Sequence, residues 1–325
     1  DIDLDELTEL NKSKIKDDYD IILSQLPQLQ PIVAKKHFHE TGTQRIYQRF
    51  CLVLTNIKKA VEEIVRLDIS PASAGAFIFL CKTKEDTQKD FEDKLKELSQ
   101  IKFPKPVIIG TSKNFSEFFN YALEIAALKR VKSTVDSIEG DAIAKRELNG
   151  RLTAYQNLLF NSLYLNFENA DWTFNKNKVK ENNLSAIASI ISNEVFSLTP
   201  IIQNELVVRD RLSSMSMSGA SNLLTKVFNN SHLKNLGMEG NPSEFGIYLS
   251  LIKSNNLHVK KGDEFVISID NTNNKSIKII YDEFLKLIKG SKEAVNVSDI
   301  YAHFVKQPYG IKIGLLPILI GIFFK

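Results

Sequence analysis

The chain has 325 residues, with 42 Lys and Arg against 39 Asp and Glu, and a formal net charge of +3. Its 43% hydrophobic and 25% charged residues are typical of a globular protein, and the length predicts about two or three domains. The near-balance of charge excludes a generally polybasic nucleic-acid coat, although a local basic face stays open. Only two cysteines occur, Cys51 and Cys81, which excludes a disulfide framework and indicates a reducing, cytoplasmic location.

Glycine and proline are scarce, with 14 and 9 residues, which favours helices over a turn-rich sandwich or barrel. The most apolar stretch, Leu315–Phe324, is too short to cross a bilayer, so we expect no membrane partner. The sequence starts at Asp1 rather than Met and stops directly after this apolar stretch. We therefore expect the chain to be a piece of a longer protein.

In chain order, the acidic residues 1–20 predict a solvated helix or a frayed arm. Apolar positions at helical spacing predict a helix over Gln44–Arg66. The apolar runs Ala76–Cys81 and Pro106–Gly110 predict two buried strands, each followed by a helix, at 86–100 and 114–128. Strand–helix–strand–helix within this length predicts a small parallel α/β unit.

The rest of the chain is predicted to be mostly helical, with helices at 141–167, 184–196, 203–212, 213–229 and 242–254. The polar stretch 166–183 predicts a loop or an irregular hairpin. Two short strands at 258–260 and 264–269 precede helices at 275–289, 298–305 and 311–324, the second capped by Ser298 and the third interrupted by Pro317. Helices joined by tight turns are typical of a helix-turn-helix or winged-helix unit.

The predicted fold class is therefore mainly α with a small α/β unit, a multi-helix scaffold that ends in a winged-helix-like unit. Its predicted divisions are an N-terminal helical segment (1–70), the α/β unit (71–130), a helical domain (131–256) and the winged-helix-like unit (257–325).

Candidate sites for catalysis or ligands are sparse. The sequence contains no Walker A motif and no nucleophile elbow. Gly110, Thr111 and Ser112 follow a buried strand and precede a helix, where a phosphate could meet helix N–H groups, although strand-to-helix capping explains the same residues.

His37 and His39, with Glu40 adjacent, have the spacing that places two imidazoles on one face of a strand, but no third ligand appears at zinc-like spacing. Solvated or hydrogen-bonded histidines are the simpler interpretation, and Cys51 and Cys81 are expected to be inert core thiols. We expect no metal and no cofactor in this chain, and no catalytic residues.

Three polar segments, Asp141–Arg151, Thr199–Ser213 and Leu236–Tyr248, interrupt the apolar pattern. Acids and arginines four residues apart support helical ion pairs there. Surface salt bridges are the simple interpretation, and a polar network between helices is the more specific hypothesis; its expected members are Glu147, Arg151, Asn204, Glu205, Arg209, Glu239 and Glu244.

A family resemblance lies in nearly the same segments. The stretches that match are Asp141–Arg151, Pro200–Ala220 and Leu236–His258. They resemble the central region of very large bacterial P-loop ATPases linked to anti-phage defence, including BREX-type ATPases. Two flanking segments fit the same pattern: His37–Arg45, which contains His-Phe-x-x-Thr-Gly-x-x-Arg, and Gln307–Gly314, where Gln307 stands in place of a proline.

This resemblance implies that the ATP- and Mg²⁺-binding module lies in the full-length parent, outside this chain. The chain would be the helical and winged-helix region that couples the ATPase to DNA or to defence-complex proteins, with oligomerisation through the parent. The terminal region shows no concentrated Lys/Arg stripe in the sequence, so the choice of DNA or protein stays open. The alternative is a self-standing interaction scaffold or winged-helix DNA-binding protein without ATPase activity; a third is an enzyme built on the 76–128 α/β unit.

Overall fold

The computed structural model describes residues 3–66, 73–112, 115–135, 137–290 and 293–325. These residues form two compact units. The first unit comprises Asp1–Ile32 and Tyr47–Leu184, and the second comprises Val33–Ile46 and Ser185–Lys325. The predicted boundaries at 70, 130 and 256 do not coincide with any boundary between the two units.

The helices and strands follow the predicted class, mainly α with a small α/β unit. Up to the middle of the chain they are α1 (Leu4–Ile15), α2 (Tyr19–Leu23), β1 (Ile32–Val33), α3 (Lys35–Thr41), β2 (Ile46–Leu52), α4 (Ile57–Arg66), β3 (Ser73–Leu80), α5 (Gln88–Leu98), β4 (Val107–Thr111), α6 (Phe118–Thr134), α7 (Ser137–Gly140), α8 (Ala142–Glu168), β5 (Asp171–Phe174) and β6 (Asn177–Lys178). After these come α9 (Leu184–Val195), α10 (Ser214–Asn229), α11 (Ser243–Ile247), β7 (His258–Lys261), β8 (Glu264–Ile267), α12 (Lys275–Lys289), α13 (Val297–Val305) and α14 (Leu316–Phe323).

A sheet with the strand order β1-β2-β3-β4-β5-β6 forms the centre of the α/β unit. The predicted parallel pair is confirmed: β3 and β4 run parallel with Ala76 opposite Val107. The predicted irregular hairpin is β5 and β6, which run antiparallel beside β4. Every residue of β3 is buried, because helices cover one face of the sheet and aromatic rings, including Trp172, cover the other.

The predicted single helix over Gln44–Arg66 is wrong in its first half, which is strand β2. Tyr47 and Cys51 alternate with Phe50 and Leu52, which pack on the helix-covered face of the sheet. The apolar residues of this segment fit both periods, and pairing within the sheet selects the strand. Only Ile57–Arg66 is helical, as α4.

The acidic N-terminal segment forms a helix, α1, that is solvated on one side only. Asp3 caps this helix by accepting hydrogen bonds from the N–H groups of Asp5 and Glu6. Its inner face packs in a core with α6 and α8, where Leu4 meets Leu128 and Leu148. The long predicted helix at 141–167 is confirmed as α8, capped by Asp141.

One continuous hydrophobic core holds the second unit together. It contains buried residues from Ile202 in the irregular segment, through α10 and α12, to Phe323 in α14. The predicted boundary at 256 therefore crosses a single core. The hairpin β7–β8 and the helices α12, α13 and α14 belong to this core with α10 and α11.

Three local predictions in the second unit are corrected. Residues 203–212 form turns and bends rather than a helix. Asn296, not Ser298, caps α13, because its side chain accepts the hydrogen bond of the Ser298 N–H. Pro317 does not interrupt the last helix: it lies in the first turn of α14, where proline is tolerated because its missing N–H would be unpaired anyway.

Across the described ranges, no helix combines the length and the apolar content needed to cross a membrane.

Candidate functional site

Arg45 is a buried side chain of the second unit, 4% exposed, that joins segments far apart in sequence. Its Nη2 donates hydrogen bonds to Thr199 Oγ1 at 3.0 Å and to the carbonyl oxygen of Gly310 at 2.6 Å. Thr199 Oγ1 in turn donates to the carbonyl oxygen of Tyr309 at 2.8 Å. The guanidinium carbon lies 4.0 Å from the centroid of the Phe196 ring, at a distance typical of a cation–π contact. We call this cluster, Arg45, Phe196, Thr199, Tyr309 and Gly310, the arginine junction.

Backbone hydrogen bonds join the same segments around the arginine junction. The Ile202 N–H donates to the carbonyl of Thr41 at 3.0 Å, and the Leu198 N–H donates to the carbonyl of Pro308 at 3.1 Å. Gly42 ends α3 with φ +76°, and a Cβ there would lie 2.1 Å from the carbonyl oxygen of Ile202. Glycine is needed at this position both for its conformation and for the close approach.

Residues 203–212 were predicted to form a helix. They bond instead to Gln307–Gly314, which we call the C-terminal motif segment. The Gly314 N–H donates to the carbonyl of Arg209 at 2.9 Å. Lys312 Nζ lies 2.6 Å from Asp210 Oδ2, and Lys312 is buried. The carbonyl of Arg209 is therefore bonded outside the segment, which forms turns and bends in place of a regular helix.

His37 and His39 lie on the helix α3, not on a strand, so the two imidazoles do not share a face. His37 is buried and its Nδ1 lies 2.6 Å from Asn193 Oδ1, while His39 and Glu40 are exposed. Asn193 Nδ2 donates to Glu40, so its Oδ1 is the acceptor and His37 Nδ1 carries the hydrogen. Burial, with a smaller contribution from the charge of Arg45, lowers the pKa of His37.

Within residues 3–66, 73–112, 115–135, 137–290 and 293–325, no group of three or more His, Cys, Asp or Glu side chains is arranged to hold a metal ion.

The residues predicted to form one polar network have separate partners. In the first unit, Arg151 forms ion pairs with Asp5 and with Glu147, and both carboxylates are exposed. In the second unit, Arg209 Nη2 lies 3.8 Å from Glu205 Oε2, and both side chains are more than half exposed. These contacts are surface salt bridges, which contribute little to stability.

Asn204 is a predicted network member that is buried and bonds to two residues outside the predicted network. It is 9% exposed, donates from Nδ2 to Ser250 Oγ at 2.6 Å, and accepts from the N–H of Leu206 at 2.9 Å. The second bond forms an Asx turn, which replaces the first turn of the predicted helix.

Glu244 is a buried carboxylate at the start of α11, whereas Glu239 is exposed. Its Oε2 accepts from Ser243 Oγ at 3.2 Å, and its Oε1 lies 4.0 Å from Lys226 Nζ. It lines a cavity of about 340 Å³ with polar side chains of α10 and the turn that follows, Asn222, Thr225, Lys226, Asn229 and Asn230.

The predicted phosphate position, Gly110–Ser112, ends strand β4. A Cβ on Gly110 would lie 2.3 Å from the ring of Trp172, so the space above this glycine is filled by the indole. The helix α6 begins only at Phe118. Gly110 therefore serves the packing of β5 on β4, and Thr111 pairs with Asp171 in the same ladder.

A basic stripe that the sequence analysis missed lies on α12. Lys275, Lys278, Lys286 and Lys289 are all exposed. At 100° per residue these four positions fall within a sector of about 80°, over a length of about 21 Å. Asp282 lies in the same sector, and Glu283, which lies outside it, has its Oε2 3.5 Å from Lys286 Nζ. The four lysines are separated by 3, 8 and 3 residues in sequence, so a search for consecutive basic residues does not find the stripe.

Arg45, Thr199 and Gly310 were also missed as site residues, although two of the segments that carry them were quoted as motifs. In the sequence these residues are polar but do not recur at helical spacing. Only the fold shows that they are neighbours.

The comparisons with known proteins give no further assignment: no protein-family model, no curated protein and no solved structure matches this chain.

Proposed function

We propose that this chain is a non-catalytic helical region of a larger cytoplasmic ATPase of phage defence. It couples the ATP- and Mg²⁺-binding module of the parent to DNA or to a partner protein. The proposal combines the family resemblance of the sequence with two features of the second unit, the arginine junction and the basic stripe of α12.

The observation that carries the proposal is the convergence of the motif segments on the arginine junction. His37–Arg45, the start of Thr199–Ser213 and Gln307–Gly314 are far apart in sequence, yet each contributes a bond to the junction. Their convergence supports a shared structural role, because these polar groups hold three segments in one arrangement.

The basic stripe favours DNA over protein as the partner. Four exposed lysines along about 21 Å of helix form a positively charged row that can contact backbone phosphates. The charge of Asp282 and Glu283 reduces the local potential, so we expect moderate, salt-sensitive binding without strong sequence preference.

Duplex DNA binding by the purified chain tests this proposal. We expect fluorescence anisotropy to show binding that weakens steeply between low and physiological salt. The double variant Lys275→Gln, Lys278→Gln should reduce the slope of log K against log salt by about 1.8, since each phosphate contact contributes about 0.9. The matched control is Lys89→Gln, Lys96→Gln, which removes two exposed charges from α5 in the first unit. Equal losses in both variants, or no binding at low salt, contradict the DNA proposal.

The second candidate is a self-standing winged-helix-like DNA binder or interaction scaffold. It is favoured by the hairpin β7–β8, which exposes Lys260 and Lys261 at its tip, although Asp263 and Glu264 are exposed beside them. The coding sequence on either side of this chain distinguishes the two candidates. A G-x-x-x-x-G-K-[ST] motif in the same reading frame supports the ATPase parent, and its absence supports the second candidate.

A further inference from the structure

The two cysteines of the chain meet in the sheet of the first unit, although 29 residues separate them in sequence. Cys51 lies in β2, and Cys81 directly follows β3. The Cys81 N–H donates to the carbonyl oxygen of Leu52 at 2.7 Å, which places Cys81 beside the end of β2.

Both thiols lie on the same face of the sheet. Residues two apart in a strand share a face, so Cys51 shares one with Tyr47 and Cys81 with Phe77. The rings of Tyr47 and Phe77 are in contact, with centroids 5.7 Å apart. The Cys81 thiol donates to the carbonyl oxygen of Phe79 at 3.6 Å.

The surroundings of the two thiols differ. Cys81 is fully buried, whereas Cys51 is partly exposed. Arg49, two residues before Cys51 in β2, lies on the same strand face, and its Nε donates to the carbonyl oxygen of Gln30 at 2.7 Å. Burial raises the pKa of the Cys81 thiol well above its usual value. Cys51 is therefore the thiol that reacts first.

We propose that Cys51 and Cys81 form an oxidative modification site, at which a peroxide converts the two thiols into an intramolecular disulfide. Neighbouring strands lie about 4.8 Å apart, which is within the Cα separation that a disulfide spans. This site corrects the expectation of two inert core thiols.

The reaction balances in two steps. The Cys51 thiolate attacks one peroxide oxygen, so that an S–O bond forms, the O–O bond breaks, and the departing hydroxide is protonated to water. Cys81 then loses its proton and attacks the sulfenic sulfur of Cys51, which forms the S–S bond and releases the sulfenic oxygen as a second water. Two thiols are oxidised, and one hydrogen peroxide is reduced to two waters.

Hydrogen peroxide treatment of the full chain, followed by intact-mass measurement and peptide mapping without reduction, tests the site. We expect the loss of two hydrogen atoms, a Cys51–Cys81 linked peptide, and full reversal by dithiothreitol. Cys81→Ser should instead accumulate a sulfenic acid at Cys51 that dimedone traps, and Cys51→Ser should remain unmodified. The proposal is overturned by chain-to-chain disulfides, by direct conversion of Cys51 to sulfinic acid in the wild type, or by no reaction in the folded protein.

Arg49 is a positioning residue for the first step, and its role is tested separately. Arg49→Met should slow the oxidation of Cys51 several-fold, and Arg49→Lys should restore most of the rate because it keeps the charge. The fluorescence of Trp172, which is buried against the same sheet face, reports whether each variant is folded. If both folded variants react at the wild-type rate, Arg49 has no part in the reaction.

Discussion

Arg45 donates a hydrogen bond to the backbone carbonyl of Gly310 at 2.6 Å, across 265 residues of sequence. A buried guanidinium that also bonds Thr199 and packs on Phe196 has exchanged water for fixed protein partners. Its removal would leave several of these partners unsatisfied, so the stability of the second unit depends on this one side chain.

We predict that Arg45→Met lowers the free energy of unfolding by about 2–4 kcal/mol, because the Gly310 carbonyl and the Thr199 hydroxyl lose their donor in a buried site. Arg45→Lys should recover only part of this loss, since an ammonium cannot reproduce the planar fork or the ring contact. Urea denaturation followed by circular dichroism measures both changes. A loss below about 0.5 kcal/mol for Arg45→Met would show that the arginine junction is not a stabilising element.

Arg209→Ala should change the free energy of unfolding by less than about 0.5 kcal/mol. The hypothesis of a polar network between helices implies a larger loss, because it places Glu205 and Arg209 together inside that network. In the structure both side chains are more than half exposed and 3.8 Å apart, so solvent screens the pair. Urea denaturation of Arg209→Ala and Arg45→Met under the same conditions compares the loss of an exposed arginine with the loss of a buried one. A loss as large as that of Arg45→Met would mean that Arg209 has partners other than Glu205.

Gly42→Ala should destabilise the protein more than Gly240→Ala. Both glycines have a positive φ, +76° and +67°, so both substitutions carry the left-handed strain of about 1 kcal/mol. Only the Cβ at residue 42 would overlap another atom, the carbonyl oxygen of Ile202 at 2.1 Å, while the space at Gly240 is open. The difference between the two melting-temperature shifts isolates the cost of the overlap. Equal shifts would show that α3 can move away from Ile202 at no cost.

The stability of the protein should fall as the pH is lowered through about 6.5, in part through His37. Burial lowers the pKa of His37 in the folded state, so below the unfolded-state pKa the unfolded chain binds a proton that the folded chain does not. The slope from this residue is at most about 1.4 kcal/mol per pH unit. The lowered pKa of His258 adds a second contribution of the same sign.

His37→Gln should reduce this pH dependence, because the amide can still donate to Asn193 but does not titrate. His39→Gln is the matched control, since His39 is exposed two residues away on the same helix. Denaturation midpoints between pH 5 and pH 8 measure the slopes. An unchanged slope in His37→Gln would mean that the acid sensitivity originates at His258 or elsewhere.

Strong local patterns made much of the fold predictable. The apolar runs of β3 and β4 and the long amphipathic α8 are recognisable from neighbours in sequence, and the structure confirms all three. The segment of β2 was predicted as a helix because its apolar residues fit either period. The segment 203–212 was predicted as a helix from its sequence pattern. In the structure the carbonyl of Arg209 accepts from the N–H of Gly314, and the preceding residue Ile202 donates to the carbonyl of Thr41 in α3.

The candidate site was less predictable than the fold. The polar segments were recognised as unusual, but the residues chosen in them were those with helical charge spacing, and these are mostly exposed. Arg45 gave no such signal, since its partners are a hydroxyl, a ring and a carbonyl. The basic stripe was missed because a helix, not the linear sequence, brings Lys278 and Lys286 into line.

The sequence by itself determined the fold class, the parallel strand pair and most helices, because these depend on local periodicity and on the burial of apolar runs. Only the tertiary structure decided which polar residues are partners. Hydrogen bonds and ion pairs depend on distances between residues far apart in the chain, and the packing of the core sets those distances. The same packing places Arg45 in a buried junction and Arg209 at the surface. It also places the two cysteines on one face of one sheet, although the balanced and ordinary composition gave no reason to connect them.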